Sequence, residues 1–216
     1  MARTVSIGTQ DFEKMIQRTC FYVDKTGFIK EWWESEDEVT LITRPRRFGK
    51  TLNMSMLNCF FSNKYADRGE LFEKLEIWKD EKYRELQGTY PVIFLSFAEI
   101  KQNNYQDTIA KIKKILCSLY QSFMFLKDWD GLTDEEKNNL KRISEDMSDV
   151  TAQSALNELS NYLSRYYGKK VIILLDEYDT PMQEAYTNGY WEELVAFTRS
   201  LFNSTFKTNP YLERAI

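Results

Sequence analysis

One run of five residues narrows the fold more than any other: Val171-Ile172-Ile173-Leu174-Leu175. It is wholly apolar, rich in β-branched side chains and without polar alternation, the pattern of a strand buried on both faces. Such a strand belongs inside a parallel sheet with helices packed against it. Asp176-Glu177 follow at once, which places two acids at the carboxyl end of the strand, where open α/β sheets bind their ligands. Val39-Thr40-Leu41-Ile42-Thr43 and Pro91 to Phe97 read as two further buried strands, and Tyr211 to Ile216 begins what reads as a fourth, inside which the chain stops.

Helical patterns separate these strands. Phe12, Met15 and Ile16 share a helical spacing, as do Phe28, Ile29, Trp32 and Trp33 within Thr26 to Trp33. Leu52 to Phe61 is apolar on almost every side, so a largely buried helix is expected there. Gly69 to Leu86 is charged and amphipathic. Tyr105 to Phe125 carries Ile109, Ile112, Leu116, Leu119 and Phe123 on one stripe. Thr133-Asp134-Glu135-Glu136 is a capping box. Ala152 to Tyr167 is a helix that Gly168 suits as a stop. Thr180 reads as the cap of a short helix with Pro181 in its first turn and Gln183 closing the box, and Asn188-Gly189 turns the chain into a last helix, Tyr190 to Phe206.

Composition removes several chemistries. None of the 216 residues is histidine, which excludes Ser-His-Asp and Cys-His catalysis, imidazole acid–base work and His-ligated zinc. A net charge of -4 gives no global attraction to polyanions, so any anion site must be local. Cys20, Cys59 and Cys117 are far apart with no C-x-x-C spacing, which fits a reducing compartment and thiols used as small apolar groups. The N-terminus lacks the apolar core of a secretory signal, and no apolar run approaches the ~18 residues of a membrane span. The expectation is a cytoplasmic protein that makes no use of a membrane.

Arg44-Pro45-Arg46-Arg47-Phe48-Gly49-Lys50-Thr51 joins the first expected strand to the apolar helix. A phosphate-binding loop reads G-x-x-x-x-G-K-[ST], and here arginine stands where the first glycine is usual. On its own the stretch fits a solvated basic loop as well as a phosphate loop. Arg44, Arg46 and Arg47 suit a nucleic-acid backbone too, but no basic face or stacking aromatic platform accompanies them, so direct nucleic-acid binding is not expected. The acids after Leu175 favour the phosphate reading. Lys50 would reach the β- and γ-phosphates, and the hydroxyl of Thr51 would ligate Mg²⁺ with Asp176. Glu177 would orient and polarise the attacking water. Asp179 fits equally a partner of the metal or the arginines and the residue before a capped helix.

Four segments together resemble the AAA-ATPase-like family of bacteria and archaea: Phe21 to Ile29, Ile42 to Leu57, Pro91 to Phe97 and Ile173 to Pro181. In that family the loop also carries arginine at the position of Arg44. The resemblance implies an α/β P-loop NTPase three-layer sandwich with a parallel sheet, truncated at the C-terminus. Residues 1–38 would form lead-in helices and a nucleotide-flanking segment, and residues 39–216 an ATPase core lacking its sensor strand end and lid. It implies ATP and Mg²⁺ as ligands. Arg47, Phe48, Gly49, Lys50, Thr51 and Leu52 would hold the nucleotide; Lys50 and Glu177 would be catalytic; Thr51 and Asp176 would hold the metal. Tyr22 and Val23 would flank the adenine, unless they are simply core. Members are often fused to a C-terminal nuclease-like domain, and a homo-oligomer that shares an arginine such as Arg199 or Arg214 is compatible with the resemblance. A nucleotide-driven switch is the leading expectation, beside an ATP-binding scaffold with little hydrolysis and a P-loop phosphotransferase.

Pro45 fixes its own φ and biases Arg44 toward extended backbone, giving by stiffness what the absent glycine gives by freedom. Pro45→Gly is therefore expected to weaken ATP affinity about threefold, the ordering cost of one freed residue. Affinity equal to the parent, in this variant and in Arg44→Gly, removes any role for the pair.

Overall fold

The computed structural model describes residues 8–18, 20–45 and 48–216. The chain is mixed α/β, and its contacts divide it into two compact units, residues 1–92 with Ile216 and residues 93–215.

The first unit is organised by aromatic packing around one apolar helix. Asp11 accepts the amide of Lys14 and so caps α1 (Phe12–Gln17). The amide of Phe12 donates to Ser55 Oγ at 3.0 Å, tying α1 to α3 (Lys50–Phe61). α2 (Gly27–Glu34), which comes between them in sequence, buries Ile29 and Trp32. Phe60 and Phe61 meet edge to face, Phe60 meets Phe72, and Phe72 stacks on Phe12 at 5.2 Å. Such ring pairs favour offset and T-shaped geometries, which is why a core this aromatic still packs densely. The expected burial of the 52–61 helix holds at its far end: Met56, Leu57, Phe60 and Phe61 are all inaccessible to solvent.

One expectation in this unit fails. Val39 occupies a single bridge position and residues 40–43 form no strand, with Leu41 64% exposed. β-branched composition expresses a preference for a pleated, half-buried surface, and it does not by itself make a ladder. The charged amphipathic stretch from Gly69 is built of several short pieces. It folds as 3₁₀ turns at Gly69–Leu71 and Glu76–Lys79, followed by α4 (Glu81–Leu86). The turns let the Trp78 ring fold back onto the Gly69 backbone and stack on Phe72.

The second unit holds the sheet. β1 (Val92–Ser96), which opens at the boundary residue, neighbours β2 (Val171–Asp176), and β2 neighbours β3 (Leu212–Ala215). The β2–β3 pairing is parallel, with Val171 opposite Leu212 and Ile173 opposite Ala215. Every residue of β2 is buried, as its unbroken apolar run demands. The chain end that read as the start of a strand is β3. The helices are α5 (Tyr105–Gln121), α6 (Asp134–Arg142), α7 (Asp149–Tyr167), α8 (Thr180–Asn188) and α9 (Trp191–Phe202). α7 packs against α5, α9 and β2. Tyr120 of α5 donates to the carbonyl of Ala155 on α7 at 2.6 Å in a fully buried contact. Thr133 and Glu136 form both halves of the expected capping box.

All three cysteines are free. Cys59 is buried, and desolvation pushes its thiol up to about 12. Among the described residues no helix is long and apolar enough to cross a membrane.

The link from α3 to β1 depends on a close approach. Gly88 sits at φ +69°, donates its amide to the Phe60 carbonyl at 2.7 Å, and leaves space for no side chain: a Cβ would lie 2.4 Å from Ala66 Cα. Gly88→Ala must strain the backbone and displace Ala66, and a loss of about 2 kcal/mol or more is expected. Urea unfolding reads it as a lower midpoint; an unchanged midpoint contradicts the close approach.

Candidate functional site

The phosphate-loop residues belong to the first unit and the paired acids to the second. Each set is described in its own surroundings.

Gly49 is the N-cap of α3 and has φ 77°, ψ 21°. This left-handed conformation is cheap only for glycine, which accounts for the residue type. As a cap it carries no side chain to occupy the amides of the first helical turn. No side-chain cap bond takes those amides, and a helix N-terminus left so is the usual construction of an anion site. Lys50 is the first residue of α3 and folds back across the loop, donating from Nζ to the carbonyl of Arg44 at 2.7 Å. The loop is thus spanned from its first residue to its lysine. Thr51 and Leu52 are half-buried in the first turn, while Phe48 is exposed. Arg47, expected to hold nucleotide, and Arg46 lie outside the described residues.

The segment expected to flank a nucleotide divides by residue. Tyr22 is half-buried, its ring edge-on to Phe12 at 5.6 Å and its hydroxyl 3.3 Å from Met56 Sδ. Desolvation pushes its phenol up to about 12, so it stays a neutral packing group at physiological pH. Val23 is exposed. Among the described residues of the first unit, the exposed large apolar side chains are Phe21, Val23, Val39, Leu41 and Phe48. All fall in segments that lead to or lie in the loop.

The segment is anchored by the next residue. Asp24 Oδ1 accepts from the Thr26 amide at 2.8 Å and the Thr26 hydroxyl at 2.7 Å, and Oδ2 accepts from the Glu76 amide at 2.7 Å. Partial burial alone would raise its pKa, but these hydrogen bonds prevail and hold the carboxyl below its ordinary range.

In the second unit, Asp176 ends β2 with only 3% of its surface exposed, and its carbonyl accepts the Phe97 amide at 3.0 Å. Glu177, the next residue, has φ 53°. A non-glycine residue in that region is strained, and such strain clusters at functional sites. The turn sends the chain from the strand into α8 and fixes the glutamate by two contacts. Thr180 donates its amide to the Glu177 carbonyl at 3.1 Å and its hydroxyl to Glu177 Oε2 at 3.2 Å. Thr180 is therefore the first residue of α8, bonded to the glutamate, and the cap position falls to Asp179. The Asp179 carboxylate accepts from Gln183 Nε2 at 2.7 Å. Of the arginines considered for sharing with a neighbour, Arg199 is exposed on α9, whereas Arg214 is buried in β3 and is not presented outward.

Sequence reasoning missed two features here. The hydroxyl of Thr180 had a local signal, a threonine three residues after the acid, but the same spacing serves a helix cap. The left-handed backbone of Glu177 had none, since glutamate is not a residue that advertises positive φ.

A family model described as predicted AAA-ATPase, AAA-ATPase-like, matches residues 6–216. A curated protein of Azotobacter chroococcum mcd 1, described as an uncharacterized protein in the vnfD 5′ region, is 27% identical over 186 residues. That match covers 86% of this chain and 31% of the relative, so the chain spans about a third of the length of the curated protein it matches. No solved structure matches.

The strain at position 177 can be isolated. Glu177→Ala and Glu177→Gly both remove the Thr180 side-chain bond and differ in the backbone. The glycine variant is expected to be the more stable by about 1 kcal/mol, the cost of holding a Cβ in the left-handed region. Thermal or urea unfolding of the two variants checks it, and alanine equal to or above glycine contradicts a left-handed residue.

Proposed function

The chain belongs to the AAA-ATPase-like family, and from that premise we propose that it is a P-loop ATPase domain that binds Mg-ATP and hydrolyses it to drive a change of conformation. The observation that carries this reading is Lys50, folded back from a helix N-terminus without a side-chain cap onto the carbonyl of Arg44. A lysine ammonium folded back beside a helix N-terminus is suited to phosphate oxygens, which it would take in exchange for a neutral carbonyl. Both contacts have an ionised donor, but only phosphate oxygens carry the opposite charge, and that added attraction gives the exchange its direction. In this reading the parallel strands belong to a three-layer P-loop sandwich, and the exposed apolar side chains of residues 21–48 offer a purine base a surface.

Glu177 would hold and polarise the water that attacks the γ-phosphoryl group. Its aim is set by backbone strain and by the Thr180 hydroxyl, so the carboxylate need not be ordered at the moment of reaction. A hydroxyl and a carboxylate are the hard oxygen donors that magnesium prefers, and it commonly takes only one or two protein ligands beside phosphates and water. Thr51 and Asp176 fit that donor set. Bound there, the metal would neutralise charge on the β- and γ-phosphates.

Mg-dependent ATP binding and phosphate release separate the parts. Lys50→Ala is expected to weaken binding at least about tenfold, ~1.4 kcal/mol. Glu177→Gln should keep affinity within about threefold and lower turnover roughly a hundredfold, the usual scale of one positioned acid–base group. Unchanged affinity in Lys50→Ala removes the phosphate-loop reading. Unchanged turnover in Glu177→Gln removes the glutamate from the chemistry.

A further inference from the structure

Lys25 is a second lysine at the phosphate loop, and the sequence motif does not account for it. A Cβ built on Gly49 would lie 3.6 Å from Lys25 Nζ, so this ammonium rests over the glycine that opens α3. Its position follows from its neighbours. Asp24 is held at three points by Thr26 and Glu76. Thr26 is fully buried, and its hydroxyl accepts the Ile77 amide at 3.2 Å. The Lys25 amide donates to the Tyr22 hydroxyl at 3.4 Å. The backbone is therefore pinned on both sides of Lys25, and its exposed side chain reaches the loop.

The charges there are unbalanced. The adjacent carboxylate of Asp24 is turned toward Thr26 and Glu76. Among the described residues no carboxylate lies within ion-pair distance of Lys25. Lys50 converges on the same loop, its ammonium on the Arg44 carbonyl. Two ammonium groups brought to one short loop repel each other unless an anion joins them. In a chain of net charge -4, acidic partners are plentiful elsewhere, and here none is used.

We propose that Lys25 contacts the phosphate chain of the bound nucleotide, so that the phosphates are held by two lysines, Lys50 from within the loop and Lys25 from the segment ahead of it. This rests on the nucleotide reading above and adds to it a phosphate-specificity residue. The contact links the 21–26 segment to the presence of phosphate, which makes the charge on the nucleotide, rather than its base, the feature that this segment reads.

Titrations with Mg-ATP, Mg-ADP, inorganic tripolyphosphate and adenosine, on the parent, Lys25→Gln, Lys25→Arg and Lys50→Ala, test it. Lys25→Gln is expected to weaken ATP and tripolyphosphate binding about tenfold, the effect of one charge-assisted contact, and to flatten the salt dependence of ATP affinity. It should leave adenosine binding and the urea midpoint unchanged. Lys25→Arg should restore ATP affinity to within about threefold, because the charge is kept. If Lys50→Ala loses affinity while Lys25→Gln matches the parent for ATP and tripolyphosphate, the Lys25 contact is wrong and the nucleotide reading stands. If the parent binds neither phosphate compound, both are wrong. A lowered adenosine affinity, or a lowered urea midpoint that Lys25→Arg does not restore, assigns Lys25 to packing and overturns the contact.

Discussion

The far end of α3 cannot move without bringing Met56, Leu57, Phe60 and Phe61 into water, and the first unit is arranged around that fact. Burying side chains of this size is worth roughly 1.5–3 kcal/mol each, far more than any one hydrogen bond that the helix makes. The helix gathers its neighbours in turn. Ser55 takes the first amide of α1, Met56 receives the Tyr22 hydroxyl, and the Phe60 and Phe61 carbonyls hold the chain that leads to β1. The near end has no such burial, since Lys50, Thr51 and Leu52 are only half covered. One helix therefore has a fixed end and an open end. Gly49 and Lys50 lie at the open end, held in place by apolar contacts two and three turns away.

The acids are positioned by a different device. β2 is buried along its whole length, and its last residue is a carboxylate as covered as the apolar residues before it. The chain must then leave the sheet, and it does so in one residue by placing Glu177 at φ 53°. A glycine would turn the corner without strain but would carry no carboxylate. A glutamate there runs against local backbone preference, and strain of that kind clusters at functional sites. The Thr180 hydroxyl then limits where the carboxylate points. Strain and a hydrogen bond act on the same side chain, one through the backbone and one through its tip.

These differences mark how far local sequence carries. The capping box of Thr133 and Glu136, the stop at Gly168 and the β2 strand were all legible, because each depends on residues within a few positions of one another. The 3₁₀ turns after Gly69 were not, because they follow from Trp78 folding back onto the Gly69 backbone and against Phe72, a packing choice that charge periodicity does not encode. Val39 to Thr43 failed for the converse reason: composition suited a strand, but the ladder needs a partner that no local pattern supplies. Of the candidate site, G-K-T and the acids after Leu175 are what the sequence offers as candidates. The backbone of Glu177, the Thr180 bond and the approach of Lys25 to Gly49 were not legible, since all three depend on dihedral or through-space relations.

Arginine in place of the first loop glycine can now be explained physically. Glycine is required where the backbone takes a positive φ or where no Cβ fits. Gly49 meets the first condition. Arg44 does not, since among the described non-glycine residues only Glu36 and Glu177 have positive φ. What Lys50 uses at position 44 is the carbonyl oxygen, which every residue type provides equally. A proline at 45 disfavours helical backbone at the residue before it. Among the described loop residues, only Gly49 makes a conformational demand that needs glycine. That leaves position 44 free to carry a charge, and the charge it carries has the sign that an anion-binding loop favours.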